Sequence, residues 1–95
     1  MVVYEAIFGM PGDQPWRSLY MTEKRAFEVL AKRVKRRLRD SGCIEADEND
    51  ELVWEDSGEQ VPEDFEEIVR SGKFKTHMPI YPTYSEVVKR KVRKP

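Results

Sequence analysis

Residues 22–40 read TEKRAFEVLAKRVKRRLRD, and their spacing predicts the central helix of the protein. Apolar residues recur there at intervals of three and four, which places them on one stripe of an α-helix. The stripe consists of Phe27, Leu30, Ala31, Val34 and Leu38. Thr22 can cap the first turn, and the Ser-Gly pair at 41–42 provides a C-terminal stop. We therefore expect one long amphipathic helix whose apolar side packs on a sheet.

Strand patterns lie on both sides of this helix. Residues 2–8 and 16–21 are rich in β-branched and aromatic residues and are separated by turn residues, which predicts a hairpin. Residues 43–46 and 52–55 predict two short strands joined by an acidic turn. A second, short helix is expected to open at Pro62, with acidic residues in its first turn. Its buried stripe would be Phe65, Ile68 and Val69.

The last third of the chain has weaker patterns. Residues 73–80 alternate between the two faces of a strand, and Pro79 limits that strand to an edge or terminal position. Residues 83–86, Thr-Tyr-Ser-Glu, have a capping-box pattern that predicts a last short helix, with a strand through 86–92 as the alternative. Residues 89–95 form a basic tail that can fray.

Together these elements have the order β-β-α-β-β-α-β, which is typical of an α+β protein. We expect a single domain over residues 1–95. Its antiparallel or mixed sheet of about five strands would be packed by one long amphipathic helix and one or two short helices.

Composition limits the class of protein further. The 95 residues are 39% hydrophobic and 37% charged, with two Trp, four Tyr and four Phe, which favours a folded domain over a disordered chain. Uncharged runs are too short for a transmembrane helix or the core of a signal peptide, so we expect a cytoplasmic protein with no membrane partner. The single Cys43 and the single His77 exclude an internal disulfide and a Cys/His metal site.

Charge is divided into three blocks along the sequence. Residues 17–39 contain nine basic and two acidic residues, and residues 40–67 contain thirteen acidic residues and no basic one. Residues 70–95 contain eight basic residues and one acidic residue. Because like-charged blocks repel themselves, the fold must either interleave them or present them as separate patches.

The sequence contains no complete motif for catalysis or metal binding. Asp47, Asn49 and Glu51 have the spacing of calcium ligands, but the sixth and twelfth positions of that loop would be Leu52 and Gly58, not Gly and Glu. Neither His77 nor Cys43 belongs to a recognisable catalytic constellation. We therefore expect a non-enzymatic protein without a metal or cofactor, and keep an unrecognised small hydrolase as the third hypothesis.

The leading hypothesis assigns function to the acidic block. Its carboxylates could present a negative surface that resembles a phosphate backbone and occupies the cationic groove of a nucleic-acid-handling protein, which it would engage or inhibit. The predicted contacts are Asp47, Glu48, Asp50, Glu51, Glu55, Glu63, Glu66 and Glu67. Exposed Trp54, or Tyr81 and Tyr84, would anchor the interface. In size and charge segregation, but in no motif, the chain resembles virus-encoded accessory proteins, anti-CRISPR proteins among them.

The alternative hypothesis is direct binding of DNA or RNA by the basic side of the long helix. Lys32, Lys35, Arg36 and Arg39 extend over roughly 10 Å of helix, which is on the scale of phosphate spacing. Lys73 and Lys75, together with residues 89–91, would extend this surface if the last strand lies beside the helix. Against this hypothesis, any amphipathic helix has a charged side, and the acidic block could neutralise it within the chain.

Overall fold

A computed structural model describes residues 1–9, 14–77 and 84–92 of the chain and has the predicted α+β fold. Strand β1 (Val2–Gly9) pairs with β2 (Trp16–Tyr20), and helix α1 (Glu23–Asp40) follows. Strands β3 (Ile44–Ala46) and β4 (Leu52–Trp54) come next, then helix α2 (Phe65–Ser71), a 3₁₀ helix (Lys73–His77) and strand β5 (Tyr84–Lys91). In this part of the chain no helix is long and apolar enough to cross a membrane.

The described strands form two antiparallel sheets where the sequence predicted one. The first has the order β2-β1-β5, so the central strand β1 pairs on both edges, and the second is the β3-β4 hairpin. Tyr4, Ala6 and Phe8 of β1 belong to the face that packs on α1. Since side chains alternate along a strand, the odd-numbered residues of β1 point to the opposite face.

Helix α1 packs against two parts of the molecule, which we call its two halves. One is the β2-β1-β5 sheet, and the other is the β3-β4 hairpin with α2. Its bounds are those predicted, and the Thr22 side chain accepts a hydrogen bond of 3.1 Å from the Arg25 N–H. Its buried residues are Ala26, Leu30, Ala31, Val34 and Leu38. The prediction was wrong at one position, since Ala26 is buried and Phe27 is only half-buried. The same core cluster includes Ala6 from the sheet and Trp54 and Phe65 from the other half.

Helix α2 begins three residues later than predicted. Its N-cap is Asp64, not a residue before Pro62, because the chain is still attached to the β3-β4 hairpin at that point. The Val61 N–H donates to the Leu52 carbonyl at 2.8 Å, and Val53 bridges Gln60. The predicted buried stripe of Phe65, Ile68 and Val69 is confirmed.

Two predictions for the C-terminal third were wrong. Residues 73–77 form a 3₁₀ helix instead of a strand, and Phe74 is fully buried in the core; residues 78–80 lie outside the described part. Residues 84–91 form strand β5, so the predicted last helix is replaced by the strand that was its alternative. Residues 89–91, predicted to fray, pair with β1 in this strand, whereas 93–95 are not described.

Candidate functional site

The basic residues of the second half of α1 lie on the side of the helix that faces away from the core. Lys32, Arg36 and Arg39 are exposed and Lys35 is half-buried. Among the described residues none of the four comes within ion-pair distance of a carboxylate. The ion pairs in the described part of the protein include those of Glu5 with Arg17 and Arg90, and those of Glu28 and Glu23 with other arginines. In the described structure the acidic block therefore makes no direct ion pair with these four cations.

A groove of about 380 Å³ runs along the flank of α1 that adjoins β1. Phe8 and Val29 supply its apolar lining. Its charged lining is Lys32, Arg33, Arg36, Arg37 and Asp40. The Arg33 guanidinium carbon lies 4.0 Å from the centre of the Trp16 ring, a cation–π contact that fixes the arginine at the rim. We call these lining residues together with Trp16 the basic groove.

The aromatic part of the basic groove was missed by the sequence analysis. Phe8 and Trp16 lie directly opposite each other in the β1-β2 register. Val29 is the signal that could have revealed the groove, because it is apolar yet lies outside the buried stripe of α1. An apolar residue on a cationic face suggests a contact surface with an apolar component.

Acidic residues border the opposite flank of α1. Lys32 and Lys35 share a second groove, of about 330 Å³, with Glu63, Asp64 and Glu66. These carboxylates come from the start of α2, where Glu66 and Glu67 suit the positive end of the helix dipole. The basic surface thus ends at α2.

The remaining predicted cations do not join this surface. Lys73 and Lys75 are exposed on the 3₁₀ helix that follows α2, instead of on a strand beside α1. Lys89 and Lys91 pair with Tyr4 and Val2, at the end of β1 remote from the Phe8 groove. The candidate nucleic-acid site is therefore the basic groove with Lys35 and Arg39 beside it.

The acidic residues of the leading hypothesis lie on the β3-β4 turn and around α2. The Asp47 side chain stabilises the turn, because its Oδ1 accepts hydrogen bonds from the N–H groups of Asn49 at 2.8 Å and Glu51 at 2.9 Å. Glu51 accepts from the Gln60 amide. The exposed members are Glu48, Asp50, Glu51, Glu55, Glu63 and Glu67, with Glu66 half-buried. No group of three His, Cys, Asp or Glu among the described side chains is arranged to hold a metal ion.

The prediction that Trp54 is an exposed anchor of the acidic surface was wrong. Trp54 is only 4% exposed and packs in the core, because it lies opposite buried Ile44 in the hairpin. Tyr81 and the Tyr84 side chain lie outside the described part of the protein, as does the side chain of His77. Cys43 is half-buried with its sulfur 3.3 Å from the Ser41 hydroxyl.

A third groove on α1, of about 490 Å³, is lined by Lys32, Lys35, Arg36, Arg39 and Asp40. These three grooves contain no Ser, Thr, Cys or His, so they offer no hydroxyl or thiol nucleophile and no imidazole base. The hydrolase hypothesis stays a prediction. Comparisons with protein-family models, with curated proteins and with solved structures give no match to this chain.

Proposed function

We propose that the protein binds nucleic acid, with the sugar-phosphate backbone lying along the second half of α1. One observation carries this proposal: Lys32, Arg36 and Arg39 are exposed on one helix face with no carboxylate partner among the described residues. Cations without an internal counter-ion favour an external polyanion, and phosphate neutralisation provides most of the affinity in such complexes.

The surroundings of the cations favour one path for the backbone. Acidic residues at the start of α2 repel phosphates on the side of Lys35. On the other side Arg33 and Arg36 line the basic groove beside Phe8. We therefore expect the chain of phosphates to follow the β1 flank, where Arg33 already stacks on Trp16.

The test is fluorescence anisotropy with labelled single-stranded DNA, duplex DNA and RNA across a range of salt concentrations. For the unmodified protein, the log-log slope of affinity against salt should be about −4, the value for four or five neutralised phosphates. Arg36→Glu with Arg39→Glu should abolish binding. The matched control is Lys24→Glu with Lys75→Glu, which changes the net charge equally at exposed residues outside the grooves.

Two results would contradict the proposal. One is the absence of binding to every oligonucleotide at low salt. The other is equal loss in the groove variant and in the control, because a loss that follows net charge alone needs no site on α1.

A second candidate is the acidic surface, which would engage the cationic groove of a nucleic-acid-handling protein. It is favoured by exposed Glu48, Asp50 and Glu67, which lack a basic partner among the described residues. If it acts as a phosphate mimic, the protein should displace duplex DNA from a purified cationic, non-specific DNA-binding protein. Displacement should disappear in Glu63→Lys with Glu67→Lys and persist in Arg36→Glu with Arg39→Glu.

A further inference from the structure

The basic groove has an apolar part that binding of phosphate alone does not use. Phe8 and Val29 line the groove and are half-buried, so part of each side chain is accessible to a ligand. Phosphate oxygens accept charged hydrogen bonds from arginine and lysine, but they gain nothing from a phenyl ring or an isopropyl group. A ligand that matches the whole groove therefore has a planar or apolar part besides its phosphates.

The α1 residues of the basic groove follow one another in a definite order. Four of them are spaced by four, three and four positions, namely Val29, Arg33, Arg36 and Asp40. Residues with this spacing lie along one side of a helix, here over roughly 16 Å. The two arginines attract phosphates to the middle of the groove, whereas Asp40 repels them from one end. The other end, at Val29, is apolar and suits a different part of the ligand.

Arg33 and Phe8 provide surfaces on which a base can stack. The Arg33 side chain is exposed, and its guanidinium carbon lies 4.0 Å from the centre of the Trp16 ring. Trp16 therefore covers one side of the guanidinium, while Arg33 also lines the basic groove together with Phe8. Aromatic rings and guanidinium planes are the surfaces on which proteins stack unpaired bases.

We propose that the basic groove binds single-stranded nucleic acid, with a base stacked on Phe8 and Arg33 and the neighbouring phosphates on Lys32 and Arg36. The inference rests on the proposed function and names its substrate class. In a duplex the faces of the bases are covered by their neighbours, so none can stack on Phe8. A groove of about 380 Å³ is at the lower end of sizes for small-molecule sites, which suits one nucleotide and not a segment of duplex. DNA and RNA are equivalent here, because neither contact involves the 2′-hydroxyl.

The first test uses the unmodified protein and three labelled ligands of equal length in fluorescence anisotropy. They are oligo(dT), the same backbone without bases, and the duplex of oligo(dT) with oligo(dA). Oligo(dT) should bind at least about 10-fold more tightly than the abasic strand, because both carry the same phosphates and only one carries bases. The duplex should bind more weakly than oligo(dT) despite its higher charge density.

A variant locates the base. Phe8→Leu should weaken binding of oligo(dT) about 5- to 10-fold, because leucine keeps the apolar packing but removes the ring. Its affinity for the abasic strand should be unchanged, since the ring and the base are then lost together. The matched control is Phe27→Leu, at a half-buried phenylalanine of α1 that also has an arginine over its ring but lies outside the three grooves. Far-UV circular dichroism establishes that both variants are folded.

The outcomes separate this inference from the proposed function. Equal affinity of the unmodified protein for oligo(dT) and the abasic strand, or tighter binding of the duplex, overturns the stacked base and leaves backbone binding in place. If Phe8→Leu weakened both single strands equally, the ring would shape the groove without contacting a base, and the assigned contact would be wrong. Absence of binding to all three ligands overturns both proposals.

Discussion

Phe74 is the largest fully buried side chain in the described structure, and it lies in one of the shortest elements. The 3₁₀ helix that carries it packs on α2. Because a 3₁₀ helix of five residues has little stability of its own, the burial of this one ring has to hold the segment in place.

We expect Phe74→Ala to lower the free energy of unfolding by about 3 to 5 kcal/mol, because it leaves a cavity in the core. That is a large part of the total stability of a small domain, about 5 to 15 kcal/mol. Urea unfolding followed by circular dichroism measures it. Lys75→Ala, at an exposed neighbour, is the control and should change the value by less than about 0.5 kcal/mol. A loss below about 1 kcal/mol in Phe74→Ala would show that the ring is not packed as described.

Asp47 is a second residue whose role is structural and local. Its carboxylate accepts from two N–H groups in the β3-β4 turn, where Asp50 has a positive φ of 64°. Asp47→Ala should lower the free energy of unfolding by about 1 to 2 kcal/mol, because both donors lose their acceptor. Glu48→Ala, the exposed next residue, removes a carboxylate without these bonds and should be nearly neutral. Equal losses in the two variants would contradict this assignment.

At the scale of elements, α2 is fastened to α1 by a cation–π contact as well as by apolar packing. The Arg70 guanidinium carbon lies 3.9 Å from the centre of the half-buried Phe27 ring, and its Nη1 donates to Glu23 at 3.2 Å. The carboxylate is 56% exposed, so the ion pair contributes little, whereas the ring contact also buries the arginine stem.

We therefore expect the two partners of Arg70 to differ in importance. Arg70→Ala should lower the free energy of unfolding by about 1 to 2 kcal/mol, and Glu23→Gln by less than about 0.5 kcal/mol. Both are measured by urea unfolding, at low and high salt, because only the ion pair is screened. If Glu23→Gln proved as damaging as Arg70→Ala, the ion pair would be the main link between the helices.

The elements that were predicted best from the sequence are those whose determining residues lie close together in the chain. The 3.6-residue period, Thr22 and the Ser-Gly stop fix α1 within one stretch, and its bounds were correct. Strand β5 is different, because its partner residues on the free edge of β1 lie 75 to 89 residues earlier in the chain. The capping-box pattern at 83–86 favours a helix, whereas pairing with β1 favours a strand. The strand forms because eight of its residues pair with β1.

The same distinction explains what was predicted of the candidate site. Lys32, Lys35, Arg36 and Arg39 belong to one helix face and could be grouped from their spacing alone. Phe8 and Trp16 join them only through the β1-β2 register and the packing of α1 on the sheet. Trp54 was predicted as an exposed anchor because a three-residue strand does not reveal which of its faces is covered.

At the scale of the whole molecule, the charge blocks are only partly separated around one core. Cations line α1, and carboxylates occupy the β3-β4 turn and the start of α2. In the last basic block, Arg70 pairs with Glu23 and Arg90 pairs with Glu5. Binding at the cationic surface should fall steeply with salt, which the anisotropy titration measures.

We expect the protein to unfold in a single transition, because the buried stripe of α1 packs against both halves of the molecule in one core. The two tryptophans report on different halves: Trp16 lies in the three-stranded sheet and Trp54 in the β3-β4 hairpin. In Trp16→Phe and in Trp54→Phe, the fluorescence of the remaining tryptophan should follow the same urea transition as the far-UV circular dichroism of that variant. If the Trp16 signal changed at a lower urea concentration than the helical signal, the sheet would unfold on its own and α1 would not join the halves into one cooperative unit.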